Sequence, residues 1–180
     1  AKNDDLSGVE EAIANGANVN AKVKCNDTAL IWASHNGNDE IVELLLSKDV
    51  DLEAKNNGLY SALILASMKD NRNIVRMLLE KRANVEAIDE DGNTALIYAS
   101  DRGHERTVEL LLAKDADINA KSVIDNTTLI CASIKGHEGV VAILLSKDID
   151  LNAQNELGNT ALICASRDGR KRIAEMLVAR

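Results

Sequence analysis

The sequence predicts an all-α repeat solenoid: stacked helix-turn-helix units joined by extended loop fingers. Three observations carry this reading. Thr28, Ser61, Thr94, Thr127 and Thr160 follow one another at steps of 33 residues, and Leu45, Leu78, Leu111, Leu144 and Leu177 keep the same step. Self-similarity at such a period marks a stacked-repeat architecture. Inside each step, apolar residues fall on one helical face, as with Ile41, Val42, Leu45 and Leu46. Finally, 46% of residues are apolar, yet Phe is absent and Trp32, Tyr60 and Tyr98 are the only aromatic residues. The core must therefore be built from Leu, Ile, Val and Ala, which suit closely packed short helices.

Taken in order, the chain reads as one continuous domain over 1–180. It comprises a partial leading repeat at 1–27, full repeats at 28–60, 61–93, 94–126 and 127–159, and a partial C-terminal repeat at 160–180. A repeat array buries its core between neighbours, so it needs no central one. Val9, Ile13 and Gly16-Ala17-Asn18-Val19-Asn20 fit the second half of a unit, leaving almost no first helix for the leading copy. The abrupt ends at Ala1 and Arg180 favour a fragment of a longer protein. In each unit the hydroxyl at Thr28, Ser61, Thr94, Thr127 or Thr160 caps a first helix by accepting from free backbone N–H groups. Gly37, Gly103, Gly136 and Gly169 end that helix, with Asp70 in their place in the second unit. A second, longer helix follows, and then an extended loop.

The copies act as an internal alignment. Leu30, Ile31, Ala33 and Ser34 recur identically in all five copies. These are core positions, Ala where helices approach closely, and Ser34, Ser67, Ser100, Ser133 and Ser166 where a hydroxyl can bond back to a carbonyl one turn earlier. By contrast, Trp32 gives way to Leu65, Tyr98, Cys131 and Cys164, and His35 to Met68, Asp101, Ile134 and Arg167. The loop tips, such as Lys24-Cys25 and Val123-Ile124, vary as freely.

Within the unit, Thr94-Ala-Leu-Ile-Tyr-Ala-Ser100 resembles the ankyrin signature Thr-Pro-Leu-His-x-Ala-Ala. The run from Gly103 to Leu112 resembles its Gly-His-x-x-x-Val-x-x-Leu-Leu, and Asp115 to Asn119 resembles its Gly-Ala-Asp-x-Asn. The resemblance implies stacked ankyrin units and a binding scaffold, and it names no partner. Departures are informative. Ala29 and its equivalents replace the family's Pro, and Ile31 and its equivalents replace the His that bonds between neighbours, so packing is expected to substitute for that polar network. Asp49, Arg82, Asp115 and Asp148 stand where the family has Gly after the second helix, and Gly16 alone keeps it, so these four residues are expected to be held left-handed. Gly58 comes one residue early, which leaves the turn at Leu59 and Tyr60 open.

Several function classes fall away. A net charge of -8 argues against nucleic acid. Residues 167–180 form a basic end, with Arg167, Arg170, Lys171, Arg172 and Arg180 against Asp168 and Glu175, which reads as a solvated outer face ahead of a phosphate site. No apolar run reaches membrane-spanning length, so no membrane insertion is expected. Cys25, Cys131 and Cys164 include no close pair, and helices stacked about 8–10 Å apart hold Cys131 and Cys164 beyond disulfide reach. Three reduced thiols place the chain in an intracellular, cytoplasmic setting. His104-Glu105 and His137-Glu138 begin like a zinc-protease helix, but the second His would have to stand at Val108 or Val141. Asp89, Asp91 and Asn93 begin like a calcium loop, but its Gly would fall at Thr94 and its closing Glu at Ser100. No catalytic, cofactor-binding or metal-binding residue is assigned, and the chain is read as not an enzyme.

The signal that remains is apolar residues at positions the stack leaves free. Trp32, Tyr60, Met68, Tyr98, Val123, Ile124 and Ile134 are the candidate protein-binding residues. Isolated exposed apolar side chains are common, so the sequence leaves open whether these form one patch. The leading expectation is a non-enzymatic, monomeric interaction scaffold that binds a protein partner on a concave face of loop tips and first helices. The alternative is a targeting or regulatory segment of a larger enzyme, channel or secreted effector. An engineered binder is disfavoured by irregularities such as Ile88, where other units carry Lys22, Lys55 and Lys121.

Overall fold

Each first helix begins where a hydroxyl can take a free backbone donor. Thr28, Ser61, Thr94, Thr127 and Thr160 accept from the N–H groups of Ile31, Ile64, Ile97, Ile130 and Ile163. The computed structural model describes residues 6–180, so the first five residues of the leading partial repeat lie outside the described residues. Helix α1 (Leu6–Ala14) precedes five pairs: α2 (Ala29–Asn36) with α3 (Asp39–Leu46), α4 (Ala62–Met68) with α5 (Arg72–Glu80), α6 (Ala95–Arg102) with α7 (Glu105–Leu112), α8 (Thr128–Lys135) with α9 (Glu138–Leu145), and α10 (Ala161–Arg167) with α11 (Lys171–Val178). First helices α2, α4, α6, α8 and α10 stack in one layer, and α1, α3, α5, α7, α9 and α11 in a second. Among the described residues no strand forms, and an isolated antiparallel bridge joins Lys121 and Thr127. The fold is an all-α repeat solenoid. The second helix outruns the first only in the pairs α4/α5 and α10/α11, because the chain leaves the helix directly after Leu46, Leu112 and Leu145.

Gly37, Gly103, Gly136 and Gly169 take left-handed φ between 68° and 85°, and Asp70 does the same at 59°. Asp70 is held there by an ion pair with Arg72 and by the Thr107 hydroxyl, which donates to its Oδ1 at 2.8 Å. Burial pushes its carboxyl up, but these two donors outweigh it and hold the group below the ordinary carboxylate range.

The core follows the invariant positions. Leu30, Ile31, Leu63, Ile64, Leu96, Ile97, Leu129 and Ile130 are buried, as are Ala66, Ala99, Ala132 and Ala165, with Ile31 in a smaller cluster beside Ala54 and Leu65. At the end of the stack, Leu162 and Ile163 occupy the same positions and are exposed.

Three expectations are corrected. The hydroxyls of Ser34, Ser67, Ser100 and Ser133 are buried and find no hydrogen-bond partner, and Ser166 is exposed. These serines fill the space of the second Ala in the ankyrin signature, so small size is the property the stack uses. Second, Arg82 and Asp115 are left-handed after their helices, but Asp49 and Asp148 are not. In those two copies Ser47 and Ser146 donate their hydroxyls to Leu44 and Ile143 carbonyls at 2.6 Å. Val50 and Ile149, half-buried against the core, also stand where Ala83 and Ala116 are buried. Third, packing does not act alone between units. The side chains of Asn71, His104, His137 and Arg170 each bond to a carbonyl at the end of the preceding first helix, on Ser34, Met68, Asp101 and Ile134. Glu53 and Glu86 accept from the N–H groups of Asn84 and Asp117 at 2.8 Å, and Asn20 and Asn119 accept from those of Asp51 and Asp150 at 2.8 and 3.1 Å. The polar network has moved from the first helix to the turns.

Candidate functional site

The loop fingers are built by one repeated device. Asn56, Asp89 and Asn155 each turn a side-chain oxygen onto two backbone N–H groups of their own tip, two and four residues on. Ser122 does this once, for Asn126. Neighbouring tips are then tied together, since the N–H groups of Asn57, Val123 and Glu156 donate to the carbonyls of Cys25, Asp91 and Ile124. A pre-ordered row of fingers therefore stands beside the first helices, and the angle between them forms the concave face.

Two openings lie in that angle. One, of about 360 Å³, is lined by Tyr98, Asp101 and Cys131 from the helices and by Asp91, Val123 and Ile124 from the fingers. The other, of about 190 Å³, lies between Trp32, His35 and Leu65, with Asp27 and Asn56 at its edge. Trp32 is 48% exposed and meets the His35 ring edge-on at 6.2 Å between centroids. Between the two openings, Tyr60 and Met68 pack against the cluster of Ile31, Ala54 and Leu65. The Tyr60 ring lies 6.2 Å from that of Tyr98, with the hydroxyls 3.5 Å apart. The Tyr98 hydroxyl donates to buried Asp89. Burial pushes its ionisation up, and the hydrogen bond to the Asp89 carboxylate adds to the shift, so it stays a neutral donor.

Of the candidate residues, Tyr98, Val123 and Ile124 share the larger opening and Trp32 lines the smaller. Tyr60 and Met68 are half-buried on that cluster and line neither opening. Ile134 is half-buried against the core and lines neither opening. The sequence reading passed over Asp91, Asp101 and His35. Asp101 and His35 share one position in successive copies with Met68, Ile134 and Arg167, so the apolar members of that position give no sign of its polar ones.

The remaining chemistry is structural. His104 and His137 carry the inter-unit bonds described above. Cys25, Cys131 and Cys164 are all free. Burial, followed by the Asp101 carboxylate, pushes the Cys131 thiol up to about 12, so it is a packing residue and a poor nucleophile. Burial raises Cys164 as well. At the basic end, Arg167 pairs with Asp168, and Lys171 and Arg172 with Glu175. No helix among the described residues is long and apolar enough to cross a membrane.

Comparison with known proteins agrees with this architecture. A 42% identical stretch of 48 residues aligns with osteoclast-stimulating factor 1 of Monopterus albus, covering 27% of this chain and 22% of that protein. The chain thus matches only about a fifth of the length of this relative. Models of ankyrin repeats match residues 1–89, 60–122 and 129–178. With matches over nearly the whole chain, and with every unit capped, turned and stacked in the same register, the protein belongs to the ankyrin repeat family.

Proposed function

We propose that this chain is a non-enzymatic scaffold that binds a protein partner on the concave face between its fingers and first helices. Ankyrin repeats generally mediate protein–protein interaction, and the extended surface of a repeat stack is the usual place for it. The observation that supports the concave side is the exposure of Trp32, Val123 and Ile124 along a pre-ordered angle, with Val123 at a position that other copies fill with Lys24, Asn57, Glu90 and Glu156. The larger opening is open to solvent and offers no activated nucleophile, since the Cys131 thiol on its wall stays protonated. The ion pairs at Asp168 and Glu175 favour a solvated surface over a phosphate site at the basic end. Three unbridged thiols favour a reducing compartment.

The test is affinity capture from the source cell with matched variants. Trp32→Ala and the double change Val123→Ala with Ile124→Ala should each weaken capture about tenfold or more, as truncation of an interface anchor does. Glu43→Ala and Arg76→Ala, exposed on the second helices, should bind normally. Tyr98→Ala is a poorer probe, because it would also strip a partner from buried Asp89. Loss of capture in the second-helix variants with retention in the others would move the site to the convex side.

A further inference from the structure

The two openings of the concave face stand in one register. Ile31, Trp32, His35 and Leu65 around the smaller become Ile97, Tyr98, Asp101 and Cys131 around the larger, two 33-residue steps along the chain. At the unit boundary between them, Tyr60 stands one step after Asp27 and one before Asn93, and it packs against the cluster of Ile31, Ala54 and Leu65. The face is thus two like pockets with a filled one between them.

Their chemistry differs. The smaller pocket sets the indole of Trp32 over Ile31 and Leu65, and its carboxylate, Asp27, is nearly buried and already takes the Asn56 amide at 2.9 Å. The larger has apolar walls in Tyr98, Val123, Ile124 and Cys131, and carries the carboxylates of Asp91 and Asp101. The Asp101 carboxylate faces Lys135 at 3.8 Å, with both side chains well exposed, an arrangement that contributes little and is easily exchanged. Apolar walls with carboxylates suit a long cationic side chain, whose stem lies on the walls while its head pairs with the acids.

We propose that, given the concave-face reading above, the surface takes one extended segment of a partner protein through two anchors. An arginine or lysine enters the pocket of Tyr98, Asp91 and Asp101, and an apolar side chain enters the pocket of Trp32. The separation of the anchors follows from the stack. Adjacent packed helices lie about 8–10 Å apart, so pockets two units apart are separated by about 16–20 Å. An extended chain rises about 3.2–3.4 Å per residue, which sets the anchors about five or six residues apart. A helical segment, rising about 1.5 Å per residue, would need about eleven to thirteen.

The test is selection of a displayed library of random linear peptides against the full chain. The enriched peptides should carry a basic and an apolar residue about five or six positions apart. Asp91→Lys with Asp101→Lys should weaken them at least about tenfold, and changing the peptide's basic residue to Glu should restore binding to that double variant. Asp91→Lys alone is the safeguard against misfolding, because the tip bonds of Asp91 run through its backbone; it should weaken binding in the same direction. Enriched peptides without a basic residue that still require Trp32, Val123 and Ile124 would overturn the cationic anchor and leave the concave-face reading standing. Random spacing would overturn the two-anchor segment. Peptides indifferent to all of these changes would overturn both readings, and a library yielding no binder would overturn the extended segment.

Discussion

Replacing Arg82 with Gly should stabilise the protein, although glycine is normally a destabilising substitution. Arg82 stands just after α5 at φ 65°. Its N–H donates to Leu79 O, and the Ala83 N–H reaches back to Leu78 O at 3.0 Å, the bonding of a left-handed helix end. A non-glycine residue held left-handed costs about 1–2 kcal/mol. Gly removes that cost but gives the unfolded chain more freedom, worth about 0.4–1 kcal/mol. The side chain is exposed, so little packing is lost and the net gain should be about 0.5–1 kcal/mol. For a chain of 180 residues, that corresponds to an increase of about 1–4 °C in Tm. Equilibrium urea unfolding, followed by far-UV circular dichroism, measures it directly. Two comparisons sharpen the result. Asp115→Gly, at φ 61°, should gain less, because Asp tolerates this region better than Arg. Asp49→Gly, at the same repeat position but outside the left-handed region, should lose stability by about 0.5–1 kcal/mol. An Arg82→Gly protein less stable than wild type, or an Asp49→Gly protein that gained as much, would refute the reasoning.

Ser100→Ala should raise the urea midpoint, because it removes a buried hydroxyl that has no partner, a burden of about 1 kcal/mol or more; a loss of that size would reveal a bond the serine does make. Ala99→Leu should cost at least about 1–3 kcal/mol through overpacking of a fully buried position, while Asp101→Leu, two residues along at the groove, should stay within about 0.5 kcal/mol in the same melts. Asp70→Asn tests the polar clasp with Arg72 and Thr107. The folded carboxyl lies below its ordinary value of 3.8, so its stabilisation is present above that pH and is lost as pH falls through the lower folded value. The variant should therefore be less stable than wild type at neutral pH and should converge with it in acid urea melts.

The repeat register, the hydroxyl caps and the left-handed turn at Asp70 were legible because each is imposed locally and repeated with the same residue type or its nearest substitute. The cross-unit bonds were not. Asn71, His104, His137 and Arg170 differ in charge and shape, yet each brings a nitrogen to the same carbonyl row. Comparison by residue identity sees variation there, while the backbone places one donor. The buried serines mislead in the opposite way: an invariant polar residue invites a hydrogen bond, when the stack requires only that it be small. At the groove, Asp101 and Met68 share a position, and only the three-dimensional arrangement shows that Asp101 lines an opening while Met68 packs on the cluster of Ile31, Ala54 and Leu65.

The second finger shows how one local change divides the concave face. Where the third and fifth fingers place Gly92 and Gly158 at the left-handed tip, the second places Leu59, at φ 58°. Its glycine has moved one residue earlier, to Gly58, and the reason is Tyr60. A Cβ on residue 58 would stand 2.7 Å from the Tyr60 ring, closer than any packed carbon can come. Tyr60 in turn replaces the polar residue found at Asp27, Asn93, Asn126 and Asn159, and its ring fills the pocket that its counterparts leave open at Trp32 and Tyr98. Gly58, Leu59 and Tyr60 thus form one linked substitution: the ring requires the early glycine, and the early glycine leaves a leucine at the strained tip. The finger tolerates that strain because Asn56 still accepts from both Gly58 and Tyr60 N–H groups. Tyr60 is joined through Tyr98 to Asp89 of the next finger, and it stands between the pocket of Trp32 and that of Asp91 and Asp101.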